Sequence, residues 1–262
     1  MNKLSVAIIT KNEERNIGRC LDSVAGIADE IVVVDSGSDD RTMEICAAYD
    51  VVFKVHPFQG HIEQKNLALS LCSYQHVLSL DADEALSPQL FDAILAEKAK
   101  GFKDGYSLNR RTRYCGKWIR FGGWYPDRKT RLIQRKLFAW GGTNPHDRLI
   151  ANTSHVQLAH LKGDLLHYSI NTLDEHRKVV DNFSSIAAKA MFQQGKKTGR
   201  EKKYTSAVFR FLQSYLFTLG FLEGWQGWHI ARLSAKAKYL KYKKLELLYL
   251  TQNKPESSSQ AE

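Results

Sequence analysis

Several things are scarce in this chain of 262 residues. It has only four cysteines, Cys20, Cys46, Cys72 and Cys115, far apart and without a CxxC pair. The four read as reduced core residues of a cytosolic protein rather than as a disulfide frame or a zinc site. There is no GxGxxG after the first strand-like run and no GxxxxGK[ST], which counts against dinucleotide-binding and P-loop enzymes. The N-terminal run "MNKLSVAIIT" is too short for a transmembrane helix and carries no small-residue cleavage site. Phe211 to Leu222, "FLQSYLFTLGFL", is strongly apolar, but twelve residues cannot span a bilayer either. Acids are missing from one long stretch. From Lys196 to Lys244, twelve Lys and Arg face only Glu201 and Glu223, a surplus equal to the +10 charge of the whole chain. Such a segment calls for a polyanionic partner or is a solvated face.

What is present is a core-forming composition, 43% hydrophobic, and a regular alternation of two periods over the first hundred residues. "LSVAII" (Leu4 to Ile9), "EIVVVD" (Glu30 to Asp35), "VVFKV" (Val51 to Val55) and "HVLSLD" (His76 to Asp81) read as strands. Helical stretches lie between them, near 16–24, 42–49 and 63–72, and Ser87-Pro88 signals the start of a fourth. This order predicts an α/β fold with a doubly wound, mostly parallel sheet, whose ligands sit beyond the carboxyl ends of the strands. From Tyr106 onward strands of mixed polarity follow, joined by the glycine- and aromatic-rich "RFGGWYPD", and a helix is expected near 173–193. The last residues, "NKPESSSQAE", read as disordered.

Two strand ends carry crowded acids: "DSGSDD" after Asp35 and "DADE" at Asp81 to Glu84. Like charges repel and carboxylates are costly to desolvate, so packing alone gives no reason for them. A D-x-D at a strand end suits Mg²⁺ or Mn²⁺ bound through one or two carboxylates plus substrate phosphates. Alone it is a common accident of a solvated loop. Beyond a buried strand, beside a second acidic strand end, it reads as a nucleotide-diphosphate site.

The blocks "SVAIITKNEERNIGRCLDSV", "IVVVDSGSDDRTMEI", "GHIEQKNLAL" and "VLSLDADE" resemble, in order, those of family 2 inverting glycosyltransferases with the GT-A fold. "IRFGGWYPD", "PHDRL" and "LLHYS" resemble the branch that transfers glucose from UDP-glucose to a heptose of the lipopolysaccharide inner core. The resemblance implies a catalytic domain over 1–170, with a donor half (1–100) and an acceptor half (101–170). A helical, basic and aromatic region (171–250) and a disordered tail (251–262) follow. It implies that Thr10, Asn12 and Glu13 border the nucleoside, that Asp35 bonds uracil or ribose, and that Lys65 and Asn66 lie near the donor. Asp81 would meet the ribose side, and Asp83 would hold the Mg²⁺ or Mn²⁺ that bridges both phosphates. Lys11 stands where the family has an aromatic residue before the asparagine.

Displacement at an anomeric carbon also needs a base for the acceptor hydroxyl. Asp147 of "NPHDRL" is the candidate, the resembling branch having His-Glu there; the alternative is a surface aspartate paired with Arg148. Asp127 is next in line. His146 reads as a positioning group, and His167 as either a satisfied core histidine or a further metal ligand. Trp124 and Arg128 would stack on sugar and bind acceptor phosphates, unless their loop is plainly structural. Trp225, Trp228 and the lysines at 236, 238, 241, 243 and 244 read as a helix at an anionic membrane surface, or as a packed helix with a solvated lysine face. The expected protein is thus a peripheral enzyme on the cytoplasmic face of the inner membrane, moving a hexose, most simply glucose, from a UDP-sugar to a lipid-anchored lipopolysaccharide core. A transferase acting on another lipid-linked or polysaccharide acceptor is the nearest alternative. A nucleic-acid binder explains the basic segment but leaves both acidic strand ends unexplained, so no nucleic-acid partner is expected. A sugar nucleotidyltransferase would need a glycine-rich basic loop where "TKNEERN" stands.

Overall fold

The computed structural model describes residues 2–143 and 146–252. The chain forms two compact units, one of residues 1–112 and 126–169, the other of residues 113–125 and 170–262.

The first unit is built on one sheet. Strands β1 (Leu4–Thr10), β2 (Glu30–Asp35), β3 (Val52–Val55) and β4 (His76–Asp81) lie parallel in the order β3-β2-β1-β4. The sheet continues through β8 (Asp127–Gln134), β6 (Gly105–Tyr114), β11 (Leu158–Ile170) and β5 (Glu84–Leu86), with antiparallel pairing of β4 to β8, β8 to β6 and β11 to β5. Successive strand residues point to opposite faces, and both faces are covered, which is why the strands read as unbroken apolar runs. Val6, Ile8, Val33, Leu78 and Leu80 pack with α1 (Ile17–Val24) and α4 (Pro88–Lys100). Ala7, Val32, Val34 and Val77 pack on the other face with α3 (His61–Leu71) and with Phe138 and Trp140. A short helix, α2 (Thr42–Cys46), follows β2. Pro88 opens α4, and the Ser87 hydroxyl accepts from the Leu90 N–H, so the helix starts where its sequence signal stands.

A separate hairpin joins β9 (Phe138–Thr143) to β10 (His146–Ala151), with Asp147 opposite Gly142 and Leu149 opposite Trp140. Asn66 of α3 fixes it: its amide donates to the Trp140 carbonyl and accepts from the Trp140 N–H, both at 2.9 Å.

The second unit holds β7 (Lys117–Trp118), α5 (Leu173–Gln193), α6 (Lys202–Leu212) and α7 (Trp225–Gln252). α5 begins at a capping box made by Thr172 and Glu175. Between α6 and α7 the chain makes a π turn (Gln213–Phe217) and a 3-10 turn (Gly220–Glu223). Side chains at Gly220 and Gly227 would run into the Ser214 and Gly220 carbonyls, so only glycine permits this close turn. All four cysteines are free thiols, and Cys20, Cys46 and Cys72 are buried.

Candidate active site

Parallel pairing sets Thr10 beside Asp35 and Ile9 beside Asp81, so β1, β2 and β4 deliver their last residues to one edge. There the loops after β1 and β2 are tied together. Asn12, at φ 55°, donates its N–H to the Ser38 hydroxyl and accepts from the Asp39 N–H; the Glu13 N–H bonds Thr42. Positive φ is tolerated by Asn better than by most side chains. Lys11 reaches across to the Gly37 carbonyl. Asp35 is fully buried and accepts from the Gly37 and Ser38 N–H groups and the Ser38 hydroxyl, so its carboxylate shapes its own loop.

The crowded acids after β4 are answered by cations of the protein itself. Arg131 of β8 donates to Glu84 at 2.7 Å and to Asp81 at 3.1 Å, and Arg110 of β6 reaches Glu84 at 3.4 Å and Asp127 at 2.8 Å. Glu84 also accepts the Asp81 N–H. Lys65 of α3, itself buried, lies 3.0 Å from Asp81 and 2.8 Å from Asp147. One ammonium therefore bridges a strand end of the sheet and the hairpin. Asp147 makes its ion pair with Lys65 and not with the adjacent Arg148, because alternate residues of β10 face opposite ways. The Trp140 ring lies under this group, 4.4 Å from Lys65 Nζ and 5.3 Å from the Arg131 guanidinium. Burial works against the Asp81 charge, but Lys65 and Arg131 hold its carboxyl well below the usual range. Burial likewise opposes the Arg131 charge, and Glu84 and Asp81 more than offset it, raising its pKa.

Asp83 points elsewhere. Its Oδ2 lies 3.2 Å from Nε2 of His167, which the β11–β5 register sets opposite Glu84. On the other side of the ring, Nδ1 is 3.3 Å from the Thr112 hydroxyl, a group able to fix the imidazole tautomer. Glu13 is close enough to feel this pair. Burial, with Asp83 and Asp40 adding, pushes its pKa up to about 7 against a bond from Asn16. Among the described residues no cluster of three or more His, Cys, Asp or Glu is arranged to hold a metal ion. A carboxylate and an imidazole such as Asp83 and His167 fit Mn²⁺ better than Mg²⁺, with substrate oxygens completing the shell.

Three buried polar atoms in this region have no hydrogen-bond partner: Thr10 Oγ1, Arg131 Nε and Trp140 Nε1, whereas Asp81 Oδ1 is paired with the Lys65 ammonium. Native interiors satisfy nearly all such atoms, so each is a point where a polar ligand can complete the bonding.

The site thus brings together Thr10, Lys65, Asp81 and Asp147, and pairs Asp83 with His167. Trp124 belongs to the second unit, where it packs edge-on against Tyr114 and His176. Arg128 is an exposed residue of β8 opposite Asn109, and the His146 side chain lies outside the described residues. Sequence reasoning missed Arg131, Arg110, Thr112 and Trp140. For Arg131 a signal existed: a charged residue in "TRLIQ" directly before the apolar pair Leu132 and Ile133, both fully buried.

The family model for glycosyl transferase family 2 matches residues 5–153, more than half of the chain. The chain belongs to that family. It is 31% identical to the uncharacterized glycosyltransferase RP128 of Rickettsia prowazekii over 95% of this chain and 89% of that one. It is 29% identical to the lipopolysaccharide core biosynthesis glycosyltransferase LpsC of Rhizobium meliloti, over 91% and 93% of the two chains. Among solved structures, S. aureus TarS 1-349 in complex with UDP-GlcNAc is similar at a TM-score of 0.47 and 16% identity, covering 95% of this chain and 92% of that one. So remote a likeness says nothing of ligands. The mixed α/β architecture with added C-terminal helices is of the GT-A type expected from the sequence.

Proposed function

We propose that this glycosyltransferase moves a hexose, most simply glucose, from a UDP-sugar to a heptose of the lipopolysaccharide inner core, with inversion, at the cytoplasmic face of the inner membrane. The observation that carries the reading is the Lys65 bridge between Asp81 and Asp147, beside the Asp83–His167 pair. The Rhizobium meliloti relative, named for lipopolysaccharide core biosynthesis, supports the acceptor class.

In this reading the loops after β1 and β2, with Thr10, Asn12 and Glu13, border the nucleoside, and Asp35 keeps their shape. Asp83 and His167 would hold the Mg²⁺ or Mn²⁺, with Thr112 steadying the imidazole. When bound, the ion neutralises the charge that develops on the UDP leaving group. Lys65 and Arg131 fix Asp81 on the donor side. Asp147 takes the proton of the acceptor hydroxyl, whose oxygen forms the new bond to the anomeric carbon. The bond from that carbon to the diphosphate oxygen breaks on the opposite face, and its electron pair leaves with UDP. Arg128 and His146 remain candidates for acceptor contacts.

The test is UDP release from a panel of nucleotide sugars with Mn²⁺, with and without a heptose-containing core acceptor, followed by the anomeric configuration of the product. Acceptor-dependent release from a UDP-hexose with inverted product supports the reading. Retention, or turnover only with other nucleotides, overturns it.

A further inference from the structure

The turn between α6 and α7 exposes an unusual set of side chains. Leu216, Phe217, Leu219, Phe221, Leu222, Trp225 and Trp228 are all exposed within thirteen residues, Phe217 at 70%. On α6, Tyr204, Val208 and Leu212 recur at every fourth position and extend the same property, with Phe209 beside them. A soluble surface seldom leaves so many large apolar groups together without a partner. The turn is nonetheless well built. Phe211, Tyr215 and Trp228 pack ring on ring at 5.3–5.5 Å. Its backbone also satisfies itself, with Thr218 N–H to Gln213, Leu219 to Leu216, Leu222 to Leu219 and Gly224 to Phe221, and the Thr218 hydroxyl donates to Gln213 and Ser214. A segment that satisfies its own N–H groups can leave water at little cost.

The charge of the segment that carries it is one-sided. Of the two acids between Lys196 and Lys244, Glu223 is buried against Lys117 at 2.8 Å, which leaves Glu201 to face solvent. Lys196, Lys197, Arg200, Lys202, Arg232, Lys236, Lys238 and Lys243 are exposed. Lys244 and Lys203 are instead taken up by Asp181 and Glu246, so the cation pattern is not simply the lysine run of the sequence. A second copy of this chain would bring like charge to the same surface. Anionic lipid headgroups complement it.

We propose that the α6–α7 turn is a wedge that enters the interfacial layer of an anionic phospholipid bilayer. Phe217, Leu222 and Trp225 are its inserted groups, and the exposed cations of α6 and α7 are its headgroup contacts. No helix among the described residues is long and apolar enough to cross a membrane, so the contact is with one leaflet. The wedge, not the lysines of α7, carries most of the affinity.

The full chain is mixed with phosphatidylcholine vesicles, with or without phosphatidylglycerol, and bound protein is measured by flotation. Binding needs no donor or acceptor, so its failure would leave the glycosyl-transfer reading untouched. We expect binding to phosphatidylglycerol vesicles with a blue-shifted tryptophan emission, weakened but not abolished by salt. Phe217→Asp with Leu222→Asp should weaken it more than about tenfold, the scale of two large apolar side chains, with an unchanged melting temperature. Lys236→Gln with Lys243→Gln should weaken it less. No binding by the wild type, a double aspartate variant that binds normally, or a concentration-dependent oligomer dissolved by Phe217→Asp without vesicle binding would each overturn the proposal.

Discussion

In the first unit Asp81 and Glu84 are sunk among Lys65, Arg110 and Arg131, while in the second Glu223 is sunk against Lys117 and the N–H groups of Arg120 and Phe121. Both arrangements hold carboxylates that water has largely left. Glu223 is saturated: burial opposes its charge, but the Lys117 bond and two backbone donors lower its pKa, and it ties residues 117–121 to the start of α7. The cluster of the first unit is not saturated, since Thr10, Arg131 and Trp140 each keep a buried polar atom without a partner. The same chemistry makes a clamp where every bond is formed, and leaves bonding capacity open in the first unit.

The largest expected effect falls on the open cluster. Asp147→Asn keeps the shape and a bond to Lys65 but removes basicity, and should lower turnover by roughly 10²–10⁴-fold with little change in UDP affinity. Asp147→Glu should retain more activity. Near wild-type turnover in the Asn variant would make Asp147 merely a partner of Lys65 and turn attention to Asp127.

Next comes stability. Arg131→Met leaves Glu84 and Asp81 buried without their shared cation, and breaking such a pair costs about 3–5 kcal/mol. Glu223→Gln should cost less, about 1–3 kcal/mol, because the amide oxygen can still accept from the two N–H groups. Urea unfolding of both variants, with UDP binding read alongside, sharpens the contrast. The Glu223 variant should bind UDP like the wild type once folded.

The smallest effect is a pH slope. Burial, with His229 adding, lowers the pKa of His176 to about 4, and its Nδ1 lies 2.9 Å from the Tyr114 hydroxyl. An unfolded histidine titrates near 6.5. Above that value both states are neutral; as pH falls from about 6.5 toward 4, the unfolded state takes up a proton that the native state refuses. Stability should therefore decline across that window. His176→Gln, which keeps an acceptor for Tyr114, should flatten the urea midpoint between pH 7 and pH 5. An unchanged slope would mean that His176 is protonated in the native state.

Much of the fold was legible because its signals are local. α5 runs from Leu173 to Gln193, the span expected from the sequence, and the strand ends at Asp35 and Asp81 stood out as acids after apolar runs. The site was legible only in part, because its bonds are distant in the chain. Lys65 meets Asp147 across 82 positions and Arg131 meets Glu84 across 47, so reading neighbours suggested Arg148 for Asp147 and a ligand cation for the whole acidic cluster. Only Asp83, paired with His167, lies outside these ion pairs. For Trp124 the sequence left a binding loop and a structural one both open, and the ring packs with Tyr114 and His176.

The central claim is that the unsaturated cluster receives a nucleotide diphosphate together with a divalent ion at Asp83 and His167. Thermal unfolding with UDP, in Mn²⁺ and in EDTA, tests it most directly, because a ligand that binds only the native state raises the transition by mass action. UDP should stabilise the wild type much more with Mn²⁺ than with EDTA, and Asp83→Ala should erase the difference while remaining folded. Equal stabilisation by UDP with and without metal in the wild type would contradict the account.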